Sequence, residues 1–114
     1  MNDKIKTDSV EALFEAILTL KTKDDCYRFF GDLCTIKEIQ DMVEGFGKTA
    51  KMLRDAGIDG VEIHAVHEGY LLDQFTMENW NHRDDQYGGS FENRFRFPVE
   101  IVQEIKKQAG EDFP

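Results

Sequence analysis

Residues 57–70 read GIDGVEIHAVHEGY, and this stretch decides how the rest of the chain is interpreted. The run from Val61 to Val66 is rich in β-branched residues and is bounded by Gly60 and Gly69, a pattern that predicts a strand. A helix that ends in glycine shortly before such a strand is typical of a parallel sheet. The stretch therefore predicts an α/β fold.

The helix before this strand is predicted by its ends as much as by its periodicity. Thr35 and Glu38 have the spacing of a capping box, and Gly57 is placed to terminate the helix. Apolar residues recur between them at helical spacing, from Ile36 to Leu53. Farther upstream, two more amphipathic helices are predicted, so the N-terminal part is expected to be all-α.

The region after the strand is predicted to contain a loop and a last helix. Residues 70–75 are long enough for one helical turn, and residues 76–90 are polar and contain glycine, as in functional or mobile loops. Ser90 is a suitable N-cap for a helix that Gly110 closes, and Pro98 is expected to kink it or mark a restart.

Composition and charge exclude several classes of protein. The 114 residues carry a formal charge of −9. This charge argues against nucleic acid as a partner, because proteins that bind its phosphates carry a basic face. No apolar run approaches the roughly 20 residues of a membrane span, and the N-terminus lacks the apolar stretch of a signal peptide. The two cysteines, Cys26 and Cys34, are interpreted as core thiols, which fits a cytoplasmic location.

Polar side chains with useful chemistry cluster after the predicted strand. His64, His67 and Tyr70 fall within seven residues at its carboxyl end, where active sites of parallel α/β folds gather. Two imidazoles and a phenol can polarise a carbonyl and deliver a proton. On spacing alone, a structural role for the histidines is favoured, in which His64 alternates to a packed face and His67 caps a loop.

Zinc is a further alternative at this position. Its candidate ligands would be Glu62, His64, His67 and His82, but they lack the helical H-E-x-x-H order. The sequence therefore favours no metal site.

Two blocks of sequence, FGKTAKMLRDAGIDGVEIHAVHEGYLLDQF and NHRDDQYGGSFENRFRFPVEIVQEI, strongly resemble the old yellow enzyme or NADH:flavin oxidoreductase family. The resemblance covers residues 37–114 and is strongest to the enoate reductase and 2,4-dienoyl-CoA reductase branch. It implies a TIM barrel that holds FMN and reduces activated C=C bonds of small enoate or enone substrates, with NAD(P)H as reductant. It also implies that His64 and His67 bind the substrate carbonyl and that Tyr70 donates a proton to the substrate carbon. In most members of the family, one residue fewer separates the second donor from the glycine. Here Glu68 stands between His67 and Gly69, as in enoate reductases.

Residues 1–44 resemble a different family. The block CYRFFGDLCTIKEIQ is similar to Trp-repressor-related regulators, which are helical, usually dimeric DNA binders. Their helix-turn-helix reader would lie downstream, where the oxidoreductase-like segment stands instead. The resemblance therefore implies a chimera that lacks this reader.

The expected fold class is α/β, a partial TIM-barrel (βα) fragment preceded by an all-α N-terminal segment. A barrel needs eight strands, and this segment supplies one, without residues that could be assigned to FMN binding. A lone strand has two unpaired edges, which self-association into a homo-oligomer would cover. The isolated chain is therefore expected to be incomplete and inactive as an enzyme.

Overall fold

The computed structural model describes residues 30–65, 67 and 69–114. Within them the chain forms three helices: α1 over Ile36–Asp55, α2 over Asp73–Thr76 and α3 over Phe91–Ala109. The two helices predicted upstream fall largely on residues 1–29 and so lie outside the described residues, as does Cys26. Cys34 packs partly buried against the core, as expected for a core thiol.

Helix α1 has the ends that the sequence predicts. The Thr35 side chain accepts a hydrogen bond from the Glu38 backbone N–H, and the Glu38 carboxylate accepts one from the Thr35 N–H at 2.8 Å. At the other end, Gly57 has a φ of +89°, a left-handed conformation that glycine adopts without strain. The predicted capping box and terminating glycine are confirmed.

Helix α3 also begins and ends as predicted. The Ser90 hydroxyl accepts a hydrogen bond from the Asn93 N–H at 3.2 Å, and Gly110 stands at the C-cap with a φ of +114°. Pro98 lies inside the helix, which continues through it to Ala109 without a break. The predicted single helix, not a restarted one, is the form observed.

The core lies where α1 and α3 pack together and where the loop and α2 cover them. Its most deeply buried side chains come from all of these parts: Ile39, Ala50, Leu72, Phe75, Tyr87, Phe97, Ile101, Ile105, Ala109 and Phe113. Burying each large apolar side chain stabilises the fold by about 1.5–3 kcal/mol. At one end of the helix pair, the Arg54 guanidinium donates to the Ala109 carbonyl at 2.5 Å and to both Asp112 carboxylate oxygens.

The predicted strand is wrong for the residues that the structure describes. Residues 61–65 are in neither helix nor strand, and Val66 lies outside the described residues. A strand requires a paired neighbour, and the backbone partner found for this run is the Pro114 carbonyl, which accepts from the Val61 N–H at 2.9 Å. The side chains of this run still alternate in burial. Val61, Ile63 and Ala65 are partly buried against the core, whereas Glu62 and His64 are exposed.

The described residues thus form a layer of helices with an irregular segment against it, instead of the expected α/β unit. Among the described helices, none is long and apolar enough to cross a membrane.

Candidate active site

The side chains singled out after residue 63 come together in space. The rings of His64 and His67 have centroids 5.3 Å apart, and the Tyr70 ring lies 5.2 Å from each of them. Tyr70 stands edge-on to both imidazoles, at 89° to His64 and 78° to His67. We call these three residues the donor cluster.

The donor cluster faces outward. Both histidines are exposed, and 56% of the Tyr70 surface is accessible. An open hollow of about 480 Å³ lies beside it, lined by Glu62, Ile63, His64 and Ala65. Imidazole N–H and phenol O–H groups at the edge of a hollow can donate hydrogen bonds to a carbonyl or carboxylate that enters it.

The turn between His67 and Tyr70 depends on a glycine and on the single tryptophan. Gly69 has a φ of +96°, and a Cβ added there would overlap the Trp80 ring. Both the backbone conformation and the close approach of the indole therefore require glycine at this position. The sequence analysis used Gly69 as a strand boundary and as part of the family motif, and it did not identify Trp80.

Helix α2 supplies two buried polar residues that the sequence analysis also missed. The Asp73 carboxylate accepts hydrogen bonds from the backbone N–H groups of His67 and Gly69, and the Gln74 amide donates to the Gly69 carbonyl. Their only sequence signal is an acid and an amide in an otherwise apolar LLDQF run.

The loop from 76 to 90 is ordered by a second set of buried polar contacts. Arg83 donates to the carbonyls of Gly31 and Cys34, each at 2.7 Å, and forms a fork with Asp85. Burial of Asp85 opposes its ionisation, but the hydrogen bonds from Arg83 and from the Tyr87 N–H outweigh it and lower the pKa of the Asp85 carboxyl. Burial and a hydrogen bond to Glu100 raise the pKa of Tyr87.

His82 lies in this loop and is engaged elsewhere. Its Nδ1 is 2.9 Å from the Asp32 carboxylate, which also accepts from the His82 backbone N–H. Over the described ranges, no three His, Cys, Asp or Glu side chains are grouped so that they could hold a metal ion. The zinc alternative built on Glu62, His64, His67 and His82 gains no support.

Comparison with known proteins identifies the family. The sequence matches the NADH:flavin oxidoreductase / NADH oxidase family over residues 6–113. It is 61% identical over 80 residues to a cinnamate reductase of Clostridium sporogenes and 48% identical over 80 residues to an NADH oxidase of Thermoanaerobacter brockii. Each match covers 70% of this chain and 12% of the relative.

A solved structure agrees with these matches. The chain resembles a 2-naphthoyl-CoA reductase complexed with 2-naphthoyl-CoA, with a TM-score of 0.66 and 39% identity over 70% of this chain and 12% of that one. The chain belongs to the NADH:flavin oxidoreductase / NADH oxidase family.

The same comparisons bear on the N-terminal segment. The family match begins at residue 6 and so runs across most of residues 1–44. The resemblance of that segment to Trp-repressor-related regulators gains no support from these matches.

The family's cofactor is FMN and its reductant is NAD(P)H. The donor cluster fits the substrate side of such a reaction, because imidazole and phenol groups donate to a carbonyl oxygen. The hollow beside it does not fit the FMN phosphate, since its lining includes the Glu62 carboxylate and neither a lysine nor an arginine. We therefore assign the cofactor to none of the described residues.

Proposed function

We propose that this chain carries the substrate-facing donors of an FMN-dependent ene-reductase that reduces activated C=C bonds of small enoates or enones. The supporting observation is the donor cluster, in which three exposed rings lie 5.2–5.3 Å apart. The family membership supports the class of chemistry, and residues 57–75 would occupy one βα step of the TIM barrel that the family resemblance implies.

Each member of the cluster has a distinct proposed role. His64 and His67 donate hydrogen bonds to the carbonyl or carboxylate oxygen of the substrate, which draws electrons from the adjacent double bond. A flavin, when bound, would supply the hydride for one carbon of that bond, and no described residue is assigned to holding it. Tyr70 gives its phenolic proton to the other carbon, so that one hydride and one proton add across the C=C bond.

The isolated 114-residue chain is proposed to bind a substrate-like anion but not to turn it over. No described residue is assigned to the flavin, whereas the proposed donors to the substrate are among the described residues. This separation makes binding, and not turnover, the property that tests the proposal.

The test is a titration of the isotope-labelled chain with crotonate, a short α,β-unsaturated carboxylate, followed by NMR. Crotonate is expected to shift the side-chain signals of His64 and His67 in a saturable way. Because two hydrogen bonds are lost, the double variant His64→Ala/His67→Ala is expected to bind about tenfold more weakly.

Two further variants complete the experiment. His82→Ala removes the described histidine outside the cluster and is expected to leave crotonate binding unchanged. Tyr70→Phe is also expected to bind normally, because its proposed role is proton donation. Equal binding by the double variant and the unchanged chain would contradict the proposal.

A further inference from the structure

The turn that carries His67 and Tyr70 is held by a residue whose burial is energetically unfavourable. Asp73 is completely buried, although an acid in the protein interior is unfavourable unless hydrogen bonds compensate for lost hydration. Its Oδ2 accepts from the His67 N–H at 2.7 Å and from the Gly69 N–H at 3.1 Å. Both bonds go to the turn of the donor cluster.

Gln74 holds the same turn from the next position of α2. Its Nε2 donates to the Gly69 carbonyl at 3.1 Å, and its backbone N–H donates to the Tyr70 carbonyl at 3.2 Å. Its Oε1 accepts from the Gly31 N–H at 2.7 Å, which ties α2 to residues 30–34. The backbone of the turn is therefore fixed at several points from one short helix.

The rings of the donor cluster have little else to hold them together. Contacts between aromatic rings contribute about 0.5–1.5 kcal/mol when they are well packed, and these rings are exposed. A backbone fixed at His67 and Gly69 sets where the His67 and Tyr70 side chains leave the chain. The positions of the His67 and Tyr70 rings therefore depend on the backbone hydrogen bonds of this turn, two of which Asp73 accepts.

We propose that Asp73 is a positioning residue, which holds the turn from His67 to Tyr70 so that the donor cluster presents its groups to one substrate oxygen and carbon. This inference rests on the proposed function for its meaning in catalysis. The geometric part, that Asp73 places the His67 and Tyr70 rings relative to the His64 ring, can be measured without substrate or flavin.

The experiment compares the unchanged chain with Asp73→Ala, Asp73→Asn and Thr76→Ala by NMR. The Asn variant keeps one side-chain oxygen that can accept both N–H bonds but loses the charge. Thr76 is another buried polar residue of α2 and serves as the matched control. The readouts are amide exchange at His67 and Gly69 and nuclear Overhauser effects between the rings of His64, His67 and Tyr70.

Asp73→Ala is expected to speed exchange at the two amides by about tenfold or more, since hydrogen bonds to a charged acceptor are lost. The ring-to-ring Overhauser effects should disappear in the same variant, while Asp73→Asn should retain them. A merely structural role would lower the thermal midpoint without changing the ring contacts of the folded chain. Unchanged exchange and ring contacts in Asp73→Ala, or the same losses in Thr76→Ala, would overturn the proposal.

If Asp73→Ala does not fold, the Asp73→Asn variant tests whether Asp73 is a positioning residue. It is expected to speed exchange at His67 and Gly69 several-fold, because a neutral acceptor is weaker, without affecting α1 or α3. Unchanged exchange at both amides, or an increase spread over the whole chain, would overturn the proposal. Failure of the crotonate titration would remove the proposed function but leave these measurements readable.

Discussion

The helix pair and the donor segment, residues 61–70, differ in how much of their support is local. Both α1 and α3 have side-chain caps at their N-termini and bury an apolar face in the shared core. The described run 61–65, in contrast, has a backbone hydrogen bond at Val61 and rests on the core through alternate side chains. The groups suited to chemistry therefore lie beside a described run that has neither helix nor strand hydrogen bonds of its own.

This difference explains why buried polar residues matter more near the donor segment than between the helices. The helices are held together mainly by apolar contacts, with a hydrogen bond from Arg54 to Ala109 at one end. The His67–Tyr70 turn, in contrast, is held by directed hydrogen bonds that Asp73 accepts and Gln74 donates. Directed bonds fix an orientation, and proton donation to a substrate requires one.

The largest effect is expected from a truncation in the helix pair. Phe97 is fully buried, with its ring 4.7 Å from that of Phe75, so Phe97→Ala should lower the free energy of unfolding by about 3–5 kcal/mol. Phe91→Ala on the same helix is the control, because its side chain is 60% exposed, and it should cost about 0.5 kcal/mol. Urea unfolding measures both. Similar losses would mean that the described core is not the one that holds the chain together.

A smaller effect is expected in the donor segment. Ile63 is only partly buried against the core, so Ile63→Ala should cost about 1–2 kcal/mol, below the usual range for a fully buried isoleucine. His64→Ala should cost about 0.5 kcal/mol, since the exposed imidazole has water as a partner. The same urea experiment compares them. Equal losses would show that His64 is buried in solution, as it would be if two copies paired along this segment.

The sequence could predict the helix ends because they depend on neighbouring residues. The Thr35–Glu38 capping box and the Ser90 cap act within three residues, and both are observed. The strand could not be predicted in the same way, because strand pairing depends on residues distant in the chain. β-branched residues favour a strand, but they do not supply its neighbour.

The donor cluster was partly predictable for the same reason. His64, His67 and Tyr70 are close in sequence, and their ring centroids lie 5.2–5.3 Å apart. Asp73 was missed because an acid beside a turn usually faces water. Its burial follows only from the packing of α2 against the core, which spacing does not reveal.

Stability at acid pH should depend on two carboxyl groups, Asp85 in the loop from 76 to 90 and Asp112 after α3. The pKa of Asp85 is lowered by Arg83 and Tyr87 despite burial, and that of Asp112 is lowered by its hydrogen bonds from Arg54. A carboxyl whose pKa is lowered in the folded state stabilises the fold above its unfolded value. For both groups that ordinary value is 3.8, and the contribution is lost as the pH falls through the lower folded value.

Unfolding midpoints measured from pH 6 to pH 2 test this expectation. The midpoint of the unchanged chain should fall below about pH 4, and Asp85→Asn should flatten that fall more than Asp112→Asn does. The reason is that Asp85 is mostly covered, whereas the Asp112 side chain is 78% exposed and is screened by solvent. A larger flattening in Asp112→Asn would contradict the assignment.

The smallest effect is expected for Tyr70→Phe. The phenol is exposed, so removing its hydroxyl should change the thermal midpoint by less than about 2 °C, as followed by circular dichroism. A fall of more than a few degrees would assign Tyr70 a structural role in place of proton donation.

Native-state hydrogen exchange of the full chain tests most directly the claim that the helix pair is self-supporting and the donor segment is not. Amides inside α1 and α3 are expected to exchange only through global unfolding, and Val61 should be protected by its bond to Pro114. Amides of residues 62–65 should exchange far faster than those of the helices. Protection of residues 62–65 at the level of the helices would contradict the account, because it would show that this run is paired as a strand.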